Sequence, residues 1–128
     1  MNRDSAATSR PQGASDATAL RRVKLLHTIV WAIFVVCIVA IPPLAWFDQF
    51  AAVVWLSAAV FGEVLVLALN GWRCPLTPIA ARFTAERRDN FDIYLPEWLA
   101  RYNKQIFGTL FVCGELWAIA LWLWRRAP

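Results

Sequence analysis

Three apolar runs, residues 23–41, 50–70 and 106–124, constrain this chain more than any other feature of it. A helix needs about 20 such residues to cross the hydrocarbon layer of a bilayer. In a chain of 128 residues, 59% hydrophobic and with mean hydropathy +0.47, that much apolar side chain exceeds what one small core can bury. Lipid-facing helices resolve the excess. The first run is expected to end at Pro42-Pro43, since proline removes a backbone donor and obstructs the preceding turn. Asp48 and Gln49 then form a polar turn into the second run. The expected fold class is all-α: three transmembrane helices with an amphipathic cytoplasmic loop between the second and third.

The first run reads as a retained helix and not as a signal peptide. Its polar leader is long and no A-x-A cleavage site follows. A lipoprotein site at Cys37 is disfavoured, because Phe34-Val35-Val36 lacks the small residues such a site needs. Residues 1–19 are rich in Ser, Thr, Ala, Gly, Asp and Arg and are expected to be a disordered leader, with Asp16 or Thr18 capping the first helix. Residues 20–128 are expected to form a single three-span membrane domain.

Basic residues set the orientation. Arg3, Arg10, Arg21, Arg22 and Lys24 precede the first run; Arg73, Arg82, Arg87, Arg88, Arg101 and Lys104 lie between the second and third. Only Arg125 and Arg126 lie beyond the third, so eleven of the 13 basic residues fall on one side. Lys and Arg collect on the cytoplasmic face. The expected location is therefore the bacterial cytoplasmic (inner) membrane, with the N-terminus and large loop cytoplasmic. Trp72 and Trp98 would mark one interface, and Trp46, Trp122 and Trp124 the other. The pI near 9.4 follows from this asymmetry. No nucleic-acid-binding signature accompanies it, so the expected partner is the lipid bilayer, with a homo-oligomer or larger membrane complex also open.

The polar loop has its own punctuation. Thr77-Pro78 reads as an N-cap and first helical residue, opening a short helix from Pro78 to about Arg88 with Ile79 and Phe83 on one side. Pro96-Glu97 opens a further helix that runs into the third span. Phe91, Tyr94, Leu95, Trp98, Leu99 and Tyr102 read as an interfacial apolar face, or as a cap over a pocket.

Function is sought where polarity is costly. Glu63 and Glu115 lie inside apolar runs, and His27, the single histidine, lies near the start of another. Ionisable groups at such depths cost several kcal/mol and mark partners, cavities or ligands. All three fall in the same half of the bilayer. They are compatible with one polar seam, in which Gly62, Ala59, Gly114 and Ala118 would let helices approach. That seam can hold a ligand, join a partner helix, or simply bond the bundle together.

Cys74 is the candidate reactive thiol, because it stands at an interface beside Arg73 and a neighbouring cation favours the thiolate. With Cys37 and Cys113 it makes an odd count of three without a C-x-x-C pair, which argues against a disulfide framework. No metal-ligand spacing, Walker loop, dinucleotide fingerprint or Ser-His-Asp order is present. A single histidine excludes a bis-histidine haem within one chain, though not one shared across a dimer. The cofactor is therefore left unassigned.

The residues His27-Thr28, Glu63, Asn70-x-Trp72-x-Cys74-Pro75-Leu76-Thr77 and Asn90-Phe91-Asp92-Ile93-Tyr94-Leu95-Pro96-x-Trp98-Leu99-Ala100-Arg101-Tyr102-Asn103-Lys104 form a recognisable set. They resemble an uncharacterised family, a domain of unknown function, of small bacterial inner-membrane proteins with an N-x-W-x-C-P-L-T motif. The resemblance covers most of residues 23–108 and leaves Glu115 outside the pattern. It implies a three-span membrane protein and no activity.

The expected role is a binding or accessory subunit whose buried polar seam holds a lipid-soluble ligand or partner helix. Ligand contacts would come from His27, Glu63, Asn70, Trp72, Arg73, Tyr94 and Trp98, with Glu115 as a secondary polar group. Two alternatives stand beside it: a membrane enzyme (redox or transferase) using Cys74 or a metal or haem at His27, and a purely structural bundle.

Overall fold

A computed structural model describes residues 12–128. The chain is all-helical over that range: α1 (Gln12–Trp46), α2 (Phe50–Leu69), α3 (Leu76–Ala80) and α4 (Glu97–Arg126). α1, α2 and α4 are each long and apolar enough to cross a membrane. Only 11%, 17% and 22% of their apolar windows are buried inside the molecule, so most of the apolar surface points outward. Val36, Trp55, Leu65, Leu69 and Leu116 are among the exposed large side chains. In water this would be a severe liability; against lipid tails it is the expected arrangement.

What the helices do bury is a narrow stripe. Ile38, Ile41 and Ala45 of α1, Val53, Ser57 and Val60 of α2, and Phe111, Gly114, Ala118 and Leu121 of α4 are buried. Their spacings alternate threes and fours, which keeps one side of each helix facing its neighbours. Phe61 and Phe111 add an edge-to-face contact at 5.1 Å. All these positions lie toward the α1–α2 turn. α1 contacts both other long helices, whereas α2 and α4 meet only sparsely. The bundle is therefore tightest near that turn and leaves space toward the opposite, loop-bearing end.

Contrary to the expected stop, α1 runs through Pro42 and Pro43 to Trp46. The prolines sit in its final turns, where few hydrogen bonds are forfeited, and neighbouring helices can cover the freed carbonyls. Beyond them, Phe47 N–H donates to Pro43 O at 3.1 Å and Gln49 N–H to Leu44 O at 2.9 Å. Pro42 also lies over Gly114, where an added Cβ would stand 3.5 Å from Pro42 Cγ. Asp48 takes the left-handed turn conformation at φ 61°. Arg125 of α4 reaches this corner, donating to Trp46 O at 2.8 Å and pairing with the Asp48 carboxylate. A cation thus meets the carbonyl end of α1, where the helix dipole favours it.

At the other terminus α1 begins at Gln12, so its first two turns occupy residues expected to belong to the polar leader; the rest of that leader lies outside the described residues. Neither Asp16 nor Thr18 caps it, and the Thr18 hydroxyl donates within the helix to Ala14 O. The loop helix also differs from expectation. α3 spans five residues, and Pro75 rather than Thr77 stands at its N-cap. The Thr77 hydroxyl is engaged elsewhere, by Asp92. Residues 81–96 are turns, with Ile93 and Asp92 buried at 5% exposure each, so the loop folds inward at that point. Pro96-Glu97 opens α4 as expected, and that helix continues unbroken through the third apolar run.

Candidate functional site

A cavity of about 1270 Å³ opens between the helices at the loop-bearing end. Its lower walls are apolar: Phe34 and Ile38 of α1, Val60, Phe61 and Leu67 of α2, Phe107 and Phe111 of α4. Its upper walls are polar and come from the helix ends and the loop, among them His27, Asn70, Arg73, Cys74, Asp92 and Lys104. Position along the bundle explains this grading. The packed stripe lies toward the α1–α2 turn, and the sparse α2–α4 contact leaves the rest of the groove unfilled.

The loop is held over the cavity by bonds to α1. His27 Nδ1 lies 3.1 Å from Asp92 O and 3.4 Å from Asp92 Oδ2. Thr77 donates its hydroxyl to the same carboxylate oxygen. Tyr94 N–H donates to Thr28 Oγ1 at 3.0 Å, and Trp31 Nε1–H to Asn103 Oδ1 at 2.8 Å. Trp31 also stands edge-on to Phe107 at 5.5 Å, which fixes α1 against the start of α4.

Asp92 is the central group of this network. Burial alone would raise its pKa, but hydrogen bonds from His27 and Thr77 outweigh that effect and hold the carboxyl below its ordinary 3.8. Both neighbours of His27 Nδ1 are acceptors, a carbonyl and a carboxylate. In the neutral ring the proton therefore resides on Nδ1, and Nε2 keeps its lone pair. The Cys74 thiol lies within hydrogen-bonding range of the same ring.

Cys74 is presented by a constrained turn. After α2 the chain passes through left-handed conformations at Gly71 (φ 65°) and Trp72 (φ 61°). Glycine accepts this freely, whereas for tryptophan it is strained and needs external support. That support comes from Trp72 N–H donating to Leu67 O at 2.7 Å, Asn70 Nδ2–H donating to Arg73 O at 2.8 Å, and Lys104 Nζ bonding Trp72 O.

The expected site residues distribute unevenly. His27, Glu63, Asn70, Trp72, Arg73, Cys74 and Glu115 all line the cavity. Tyr94 and Trp98 do not; they are 51% and 61% exposed, and Tyr94 receives the Lys24 ammonium over its ring at 4.7 Å. The acids and histidine do not bond one another in a continuous seam. His27 turns to Asp92, Glu115 accepts from the buried Ser57 hydroxyl, and Glu63 pairs with neither. Of the small residues, Gly114 and Ala118 are buried between helices, but Gly62 and Ala59 are exposed and mediate no approach. Asp92, Thr77, Trp31 and Asn103 are site residues that sequence reasoning missed. Asp92 looks like one of several loop acids until the loop folds inward, although its place between Phe91 and Ile93 hints at burial.

Among the described residues, no group of three or more His, Cys, Asp or Glu is arranged to hold a metal ion. Comparison with protein-family models, curated proteins and solved structures finds no match to this chain. The functional reading rests on the site itself.

Proposed function

We propose that this chain is a small integral protein of the bacterial cytoplasmic membrane that binds a lipid-soluble amphiphile: a long apolar chain with an anionic head. The observation that carries the reading is the graded cavity, apolar at depth and polar at its loop-side mouth. Ligand pockets combine mostly apolar walls with a few placed polar groups. Here the apolar chain would lie along Phe34, Phe61, Phe107 and Phe111, entering between α2 and α4 where these helices scarcely meet. Arg73 and Lys104 supply positive charge at the mouth, and His27 and Glu63 are the buried polar anchors. In this orientation the N-terminus and the 70–96 loop are cytoplasmic, and the loop forms the lid. The likeness to small inner-membrane proteins with an N-x-W-x-C-P-L-T motif belongs to the same reading.

Native mass spectrometry after gentle detergent extraction tests it. The expected spectrum carries a stoichiometric mass above the 14.5 kDa chain, reduced in Glu63→Gln and Arg73→Ala variants. A bare chain that also fails to bind doxyl-stearate, read by tryptophan quenching, would sink the proposal and favour a purely structural bundle. A second reading, thiol chemistry, is favoured by one observation: the Cys74 thiol flanks a histidine whose far nitrogen faces a buried carboxylate.

A further inference from the structure

The geometry points to Cys74, His27 and Asp92 as an acyl-transfer triad, with Cys74 taking a long-chain acyl group from an acyl thioester. This rests on the cavity being a lipid pocket. Three observations support it. Nδ1 of His27 is 3.1 Å from Asp92 O and 3.4 Å from Asp92 Oδ2, which fixes the ring and leaves Nε2 as the free base. The thiol lies within hydrogen-bonding range of that ring, so nucleophile, base and orienting carboxylate follow one another as nucleophilic catalysis requires. Finally, Cys74 stands where the polar mouth meets an apolar groove lined by Phe34, Leu67 and Phe107, a place suited to a carbonyl at headgroup level with its chain in the hydrocarbon.

Neither Cys37 nor Cys113 lines the cavity. A disulfide exchange within the chain thus has no second thiol at the site, which favours acyl transfer over redox use.

The step balances without an oxidant. Cys74 Sγ attacks the thioester carbonyl carbon while its proton passes to His27 Nε2. The tetrahedral adduct collapses with cleavage of the donor carbon–sulfur bond. The departing thiolate takes the proton back from Nε2, yielding a free donor thiol and S-acyl Cys74. Cys74 and His27 touch the reacting atoms; Asp92 is a positioning residue that holds the ring and its tautomer.

The test uses the full chain in nanodiscs with the palmitoyl thioester of N-acetylcysteamine, read by intact mass and peptide mapping. One hydroxylamine-labile palmitoyl group is expected on Cys74, with Cys37 and Cys113 serving as internal controls. Cys74→Ser should abolish it. His27→Ala should slow it by about 100-fold or more, the range for loss of a general base, with partial rescue by added imidazole. Asp92→Asn should lower the maximal rate without raising the half-saturating thioester concentration. Doxyl-stearate binding, measured on every variant, shows that each remains folded around its cavity. Equal acylation of all three cysteines, or an unchanged rate in a His27→Ala variant that still binds doxyl-stearate, would overturn the triad. Retained doxyl-stearate binding without any acylation would also overturn it, while leaving the pocket reading intact; loss of both would remove both.

Discussion

Ser57 and Glu115 pose the sharpest question at the scale of single residues. The Ser57 hydroxyl is the partner that makes a carboxyl group tolerable deep in α4. Removing one partner of a buried polar pair costs about 1–3 kcal/mol, more than the bond itself contributes. Ser57→Ala is therefore expected to lower unfolding stability in detergent by that amount. Glu115→Gln, which keeps an acceptor oxygen without the charge, should cost less. Asp92 makes a different prediction. Its depressed pKa means that its contribution to stability is complete above 3.8, falls as pH drops below that value, and is gone once the folded carboxyl is protonated. Subtracting the Asp92→Asn stability profile from that of the wild type, both measured by thermal unfolding against pH, should isolate this acid-side loss. A difference that stayed constant through the acid range would contradict the hydrogen-bonded carboxylate. These two pairs also show what a linear reading can reach. Glu115, Glu63 and His27 are visible because charge inside an apolar run is rare. Asp92 is invisible because an acid in a polar loop is ordinary, and only the inward fold of residues 91–93 makes it costly. Ser57 is hidden for a related reason, since one hydroxyl in an apolar helix can bond its own backbone.

At the scale of elements, small residues separate into those that pack and those that do not. Gly114 is covered by Pro42 and Ile41, with an added Cβ meeting them at 3.5 to 3.7 Å. Alanine fits at that distance; a longer side chain must push α1 away. Gly114→Leu is accordingly expected to destabilise the bundle by about 1–3 kcal/mol, the usual cost of overpacking, whereas Gly62→Leu should be near neutral because nothing lies within 4 Å of its added Cβ. Gly108 gives the functional counterpart. It lines the cavity and has open space around an added Cβ. Gly108→Leu should raise helix stability by up to about 1 kcal/mol while occupying the groove and weakening doxyl-stearate binding. Stability and binding moving in opposite directions is a result that a purely structural bundle would not give. The three spans and the helix opened by Pro96 were legible from hydropathy and proline position. The passage of α1 through Pro42-Pro43 was not, because a proline's cost depends on what covers the freed carbonyls, and Pro42 lies against a glycine of a helix some seventy residues further along the chain.

At the scale of the molecule, the packed stripe and the cavity occupy opposite halves of one bundle, and that division sets a topology that can be measured. Arg125 closes the turn end by bonding the carbonyl terminus of α1 and Asp48. The loop end gathers most of the basic residues, with Arg101 paired to Asp89 at 2.7 Å and Lys104 bound to the Trp72 carbonyl. Positive charge near the ends of the spans resists translocation, so the end with eleven basic residues should remain cytoplasmic. A green fluorescent protein fused to the N-terminus is then expected to fluoresce, and alkaline phosphatase fused after Pro128 to be active. Changing Arg73, Arg82, Arg87 and Arg88 together to Ala, and adding four Lys after Pro128, should weaken or invert both signals. The same reversal should leave the fold alone, because the buried stripe carries none of these charges. It would, however, turn the cavity mouth toward the other face of the membrane. Fluorescence at both ends of the wild-type chain would mean that an even number of helices crosses, and would force one of the three out of the bilayer.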